Sequence, residues 1–371
     1  MRDRTNNSLQ VRKEMAYEYL NTRLRFMKAK LLKPQAFAAC LEMRGLDDLI
    51  GFLAGTDYGP EIERSSVEYS GYKLIEDALM RNGQRVFSKL YHMAPEGPKT
   101  LIQIILERFE VFNLKTILRG FHVGAPPEET RKSLYPTILY PTAFYQELLQ
   151  KENIGACIDY LVTVGNRYYK PLTMSFPDYE RTRKLAALEN SLDSFYFGGS
   201  RELLQNIGDE NAALVRMALG TEVDVLNLVY ALRVVEEAVE SEEKYKYILK
   251  GGERLSAEFI RELIDSGDKA SFFKKLENTY YATKLGGFDG AMSANDFQER
   301  LENFLYREQC RLDAGRIFDI HLALVFIWRK TVEMTNLRVI ASGLWRGAPR
   351  QEIERRLIHL EAHHRGDERS G

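Results

Sequence analysis

Three acidic side chains recur with an asparagine-leucine pair three residues further on: Glu110-x-x-Asn113-Leu114, Asp224-x-x-Asn227-Leu228 and Glu333-x-x-Asn336-Leu337. The acids are separated by 224 − 110 = 114 and 333 − 224 = 109 residues. On a helical projection at about 100° per residue, Glu110 shares an arc with Ile117, Leu114, Leu118 and Val111. Asp224 falls among Ala231, Leu228, Leu232 and Val225, and Glu333 among Ile340, Leu337, Ala341 and Met334. The three acids are therefore predicted to face inward, with each asparagine at the edge of the apolar arc. Inward acids could act as general acids or bases, because burial raises a carboxyl pKa toward neutrality. Three copies would need three separate catalytic sites, however, and no histidine, cysteine or second carboxylate recurs beside them. A structural network of Glu110, Asn113, Asp224, Asn227, Glu333 and Asn336 is the favoured reading. A buried carboxylate without a partner costs several kcal/mol, so each acid is expected to hold a hydrogen-bonded or cationic partner from its own lobe.

The opposite face of the same helices carries Lys115 and Arg119, with Arg233 and Arg338 at related positions. A basic face repeated in this way could meet a partner or line a shared cavity, and it could equally be an ordinary wet helix face; Ser342 stands where a third arginine would continue the pattern. A further match, Gly120-x-x-x-Gly124-Ala125-Pro126-x-x-Glu129 with Gly343-x-x-x-Gly347-Ala348-Pro349-x-x-Glu352, reads as a helix stop followed by a helix start. As a phosphate cradle it lacks the following lysine-serine or lysine-threonine pair. Cys40, Cys157 and Cys310 are odd in number and widely spaced, which suggests reduced packing residues, with neither a disulfide framework nor a metal site. No cofactor is implied.

The elements that must hold these residues repeat as well. Ile75-Glu76-Asp77-Ala78-Leu79 returns as Leu188-Glu189-Asn190-Ser191-Leu192 and as Leu301-Glu302-Asn303-Phe304-Leu305, with the glutamates 189 − 76 = 113 and 302 − 189 = 113 apart. A period this long is domain-sized, whereas solenoid repeats run to about 20–50 residues. Three helical lobes are expected, at 1–135, 136–247 and 248–362, followed by a frayed tail at 363–371. Apolar periodicity predicts helices over 11–32, 37–42, 46–53, 72–90 and 100–119, and no run alternates as a strand would. The acidic stretch 235–247 reads as a solvated extension of the helix before it.

Composition is that of a globular protein, with 371 residues, 44% hydrophobic and 28% charged. Lysine plus arginine (52) balances aspartate plus glutamate (53), so no basic field favours nucleic acid. The apolar stretch 317–328 is too short and too interrupted to span a bilayer. The polar start, Met1 to Asn7, lacks a secretory signal, which points to the cytoplasm.

With Tyr19-Leu20-Asn21-Thr22-Arg23-Leu24-Arg25 added to the three acid-asparagine helices, the sequence resembles the C subunits of bacterial and archaeal A/V-type ATPases, the counterparts of the d subunits in eukaryotic V-ATPases. The resemblance runs from about Val11 to Leu360 and brings Arg23 and Arg25 into the expected structural network. It implies an all-α funnel of three pseudo-equivalent lobes with a central cavity. Such a protein sits on the cytoplasmic face of the membrane proteolipid ring and receives the central stalk, so the implied role is a non-catalytic rotor adaptor for proton or sodium transport. Lys115, Arg119, Arg233 and Arg338 would then be candidate stalk contacts. Two other classes stay open at this point: an all-helical interaction scaffold unrelated to rotary ATPases, and an enzyme with one asymmetric polar pocket.

Overall fold

The computed structural model describes residues 2–238, 242–290, 292–311 and 319–360. Among them every regular element is helical and none is a strand, so the chain is all-α. Helix α1 (Arg2–Lys28) opens the chain and is followed by three short helices, α2 (Pro34–Leu41), α3 (Leu46–Ala54) and α4 (Gly59–Ser65). Next comes a long pair, α5 (Gly71–Met93) and α6 (Glu96–Val123), and a single turn of helix, α7 (Pro127–Lys132). The pattern then recurs. Short helices α8 (Thr142–Leu149), α9 (Ile154–Thr163) and α10 (Tyr169–Thr182) precede the long pair α11 (Ala186–Ile207) and α12 (Glu210–Glu236). Short helices α13 (Ala257–Ile264), α14 (Lys269–Leu276) and α15 (Tyr280–Leu285) precede α16 (Ala294–Arg311) and α17 (His321–Arg346), and α18 (Arg350–Arg355) follows.

Local chemistry explains many of the boundaries. Asn153, Asp209, Ser256, Asp268 and Thr279 each cap a helix by accepting a backbone N–H three residues on. At the other end, α6 and α17 stop in the same way. Gly124 and Gly347 take left-handed φ values of 66° and 65°. The next N–H, of Ala125 or Ala348, then reaches back to Gly120 O at 2.8 Å or Gly343 O at 2.9 Å. Pro34 and Pro60 sit in the first turns of α2 and α4, where no N–H is needed. Gly59-Pro60 thus begins a helix. The acidic run departs from its expected form: α12 ends at Glu236, Ala238 adopts φ 48°, and a short 3-10 turn covers Glu242–Tyr245. Residues 239–241 of that run, and the expected tail 363–371, lie outside the described residues.

The chain divides into two compact units. One holds Met1–Leu20, Gly83–Leu301 and Phe318–Ile320; the other holds Asn21–Asn82, Glu302–Ile317 and His321–Gly371. In the first, α8–α10 lie along α6, and α13–α15 along α12. In the second, the early helices α2–α4 pack on the late helix α17, and Cys40, Leu49, Leu53, Tyr58 and Ile75 share one core with Leu337, Ile340 and Ile353. Each short bundle therefore covers a long helix; in the second unit that helix comes from the far end of the sequence.

Candidate functional site

The recurring acids are all buried, at 1% exposure for Glu110, 0% for Asp224 and 3% for Glu333. Each accepts a hydrogen bond from a tyrosine on a short helix or at its start. Tyr145 Oη donates to Glu110 Oε2. Tyr281 Oη donates to Asp224 Oδ2 at 2.8 Å, and the Arg254 N–H donates to the same oxygen at 2.8 Å. Tyr58 Oη donates to Glu333 Oε1 at 2.8 Å, while the Leu32 N–H reaches Oε2 at 2.5 Å. The tyrosine and backbone N–H partners therefore come from other segments of the chain than the lobe assigned to each acid, because a short bundle lies over each acid-bearing helix; Glu333 also holds a cation from its own lobe, Lys330.

The position one turn before each acid sets its electrostatics. Lys330, buried at 2%, donates to Glu333 Oε1 at 2.6 Å and to Tyr58 Oη at 2.9 Å, closing a triangle of charge-assisted bonds. Glu107 fills the matching place before Glu110 and accepts from Arg167 at 2.9 Å and Tyr168 at 3.1 Å. Thr221, before Asp224, instead bonds the Met217 carbonyl at 3.0 Å. Without a cation of its own, Glu110 is pushed up to about 7 by burial, which the Tyr145 bond only partly offsets. Burial also raises Asp224 and Glu107. The tyrosines move the same way: burial and the neighbouring carboxylates hold Tyr58, Tyr145 and Tyr168 well above the phenol range.

The asparagines form three matching clamps. Asn113 Nδ2 donates to Tyr135 O at 2.8 Å and its Oδ1 accepts from the Tyr135 N–H at 2.8 Å. Asn227 does the same with Leu249 at 2.9 and 2.8 Å, and Asn336 with Ile358 at 3.0 and 2.8 Å. The separation is 22 residues in every case. Each side-chain amide thus stands in for a backbone pair, satisfying the buried N–H and C=O of a returning segment that has no sheet to join. The close return after α6 and α17 explains Gly120 and Gly343, where a Cβ would collide with the side chains of Thr130 and Ile353. The second copy has Val234 at the corresponding place and returns through its 3-10 turn, yet it keeps the clamp.

The four basic residues all engage groups of the following repeat, counted cyclically. Lys115 pairs with Asp193 at 2.7 Å, and Arg119 grips Glu189 with bonds of 2.5 and 3.0 Å. Arg233 donates to Gln298 Oε1 at 2.6 Å. Arg338 lies close enough to Tyr58 and Tyr72 to favour their ionised forms. Ser342, which replaces arginine, bonds Tyr72 and accepts from Arg346 one turn on at 2.7 Å, so a guanidinium still reaches this place. Beside these ties, Arg108 pairs with Glu222 at 2.7 Å and the Tyr196 hydroxyl donates to Ile104 O at 2.9 Å. Burial raises Asp193 and Glu222 despite their cationic partners. Arg23 and Arg25 are exposed on α1.

Residue spacing alone missed the tyrosines. Tyr58, Tyr168 and Tyr281 are all buried at the start of the third helix of a short bundle. Their spacings, 168 − 58 = 110 and 281 − 168 = 113, match the repeat and were the available signal. Cys40, Cys157 and Cys310 are buried free thiols. Among the described residues no group of three His, Cys, Asp or Glu side chains could hold a metal ion.

These features define a class: an all-helical internal-repeat protein whose recurring polar residues tie its own helices together. The chain belongs to the ATP synthase (C/AC39) subunit family, whose sequence profile matches residues 20–356. It is 27% identical over 348 residues to the A-type ATP synthase C subunit of Methanocaldococcus jannaschii, covering 93% of this chain and 86% of that one. The corresponding C subunit of Methanococcoides burtonii is 29% identical, with 92% and 94% covered, and that of Archaeoglobus fulgidus is 28% identical, with 93% and 97% covered.

Proposed function

We propose that this chain is a non-catalytic subunit of a rotary A-type ATP synthase, an adaptor between the central stalk and the membrane proteolipid ring. The family match across residues 20–356 carries the reading. The threefold recurrence of acid, tyrosine and asparagine clamp supports it, because these polar groups go into stiffening a helical body. A torque-transmitting part needs stiffness and two end surfaces, with no reacting centre of its own. Three pseudo-equivalent lobes around a central socket would match a stalk to a ring. Among the described residues no helix is long and apolar enough to cross a membrane, in keeping with a peripheral position on the cytoplasmic side, held by partners. Of the four nominated cations, Arg119 and Arg233 remain exposed and are retained as stalk-contact candidates.

Affinity capture of the tagged chain from membranes tests the role. Co-recovery of stalk and proteolipid subunits is expected; a folded chain that recovers neither would overturn it. Arg119→Glu with Arg233→Glu is expected to weaken stalk recovery about tenfold while ring recovery persists. Undiminished stalk recovery would reject these two residues as contacts.

A further inference from the structure

A shallow cleft lies between α11, α12 and the segment leading into α13. Its floor is apolar, formed by Phe197, Leu219 and Val223 among others, and its rim carries three cations, Arg201, Arg216 and Lys250. All three are exposed, and none has an ion-pair or hydrogen-bond partner for its head group among the described residues. The Arg201 guanidinium packs over Gly251, at a place where a Cβ would crowd it.

The internal repeats supply a control that a single domain could not. Arg216 lies 224 − 216 = 8 residues before its acid; at the same offset the other copies have Ile102 and Val325, both fully buried. Arg201 lies 201 − 189 = 12 residues after its landmark glutamate, where the others have Ser88 and Ala314. Lys250 follows the clamped Leu249, whereas Pro136 and His359 follow the clamped Tyr135 and Ile358. The repeat fold is built elsewhere without these cations, so packing does not require them. In the second copy a core position has been turned into a charged rim.

We propose that this cleft binds a phosphate group, either as inorganic phosphate or as the terminal phosphate of a nucleotide. Three cations around one cleft suit a multiply charged oxyanion, and the two guanidinium groups can donate in pairs to its oxygens. The apolar floor strengthens that attraction by excluding water from one side. The cleft is shallow, so the phosphate would sit at its rim among the cations, and a nucleoside attached to it would extend outward.

The test uses the full chain in isothermal titration at constant ionic strength, with inorganic phosphate and ATP added in separate experiments. Saturable binding is expected, weakened about tenfold or more in Arg216→Gln/Lys250→Gln. That variant should keep the wild-type melting temperature in the absence of ligand, because both side chains are exposed. The single variant Arg201→Gln should also weaken binding and provides the same readout if the double variant does not fold. Tighter binding of ATP than of phosphate assigns the site to a nucleotide; equal or weaker ATP binding assigns it to free phosphate. Failure of both anions to saturate, or undiminished affinity in the variants, would overturn the proposal.

Discussion

Replacing Glu110 by glutamine should change how stability depends on pH more than it changes stability at any one pH. The native carboxyl is pushed up to about 7 from 4.5 because it is buried and has only hydrogen-bond donors to offset that burial. The folded state therefore holds this proton over a range in which the unfolded chain has released it. Stability from this group is fully present below the unfolded value, and it is lost as pH rises through the native one. Integrating the proton difference gives a loss of about 2.5 kcal/mol between pH 5 and pH 8. Glutamine has no proton to lose and should escape the loss. Urea unfolding of both proteins at several pH values between 5 and 8 measures this directly. The stability of the glutamine variant relative to wild type should rise by about 2.5 kcal/mol across the range. Taking this difference cancels the buried carboxyls Asp193, Glu222 and Asp224, which titrate in both proteins, whereas Glu107, whose charge helps raise Glu110, belongs to the same coupled titration. A difference that stays flat with pH would show that Glu110 is ionised throughout and would refute the burial argument.

Other perturbations probe the remaining ties. Asn336→Ala leaves the N–H and C=O of Ile358 without their clamp and should cost about 2–3 kcal/mol in urea melts; a change under about 0.5 kcal/mol would contradict the clamp's role. Gly343→Ala should cost about 1–3 kcal/mol through collision with Ile353, and a double-mutant cycle with Ile353→Ala should recover much of that loss. Lys115→Met strands the buried Asp193 and should destabilise by about 3 kcal/mol, more at pH 8 than at pH 5, because removing the cation raises the aspartate further. Adding Asp193→Asn to that variant should restore most of the stability, and a double variant no better than the single would show the pair to be incidental.

The long helices were legible in the sequence because their apolar arcs are broad and their acid-asparagine landmark repeats. The inward position of Glu110, Asp224 and Glu333 follows from spacing alone, since a helical projection fixes the side facing the core. Their partners do not follow from it. Tyr145 lies 35 residues from its acid, Tyr281 lies 57 from its own, and Tyr58 lies 275 from Glu333, so no common offset marks the pairs. The asparagine clamps have a constant offset of 22 residues, but they bind backbone atoms. Tyr135, Leu249 and Ile358 thus need share no side-chain chemistry, and residue identities carried no trace of the bond. The basic face was visible as a pattern, yet its partners Glu189, Asp193 and Gln298 lie on helices of the following repeat. One helix wheel could not distinguish a wet face from a tied one. In the acidic run, high helix propensity lost to the backbone turn at Ala238.

The joining of Glu333 to Tyr58 and Leu32 has a consequence for how the protein is made. The bundle α2–α4 emerges early, with Leu49, Leu53 and Tyr58 meant for a surface that does not yet exist. At ordinary translation speeds, the 275 residues between Tyr58 and Glu333 take roughly 14–55 s to synthesise. Throughout that interval the nascent chain carries an uncovered apolar face, while Gly83–Leu301 can complete many of its own pairings in sequence order. A ribosome stalled before α17 would release a product lacking the helix that covers the first bundle. Quality control can recognise such a fragment by its exposed amino-terminal core, and assembly need admit only finished chains.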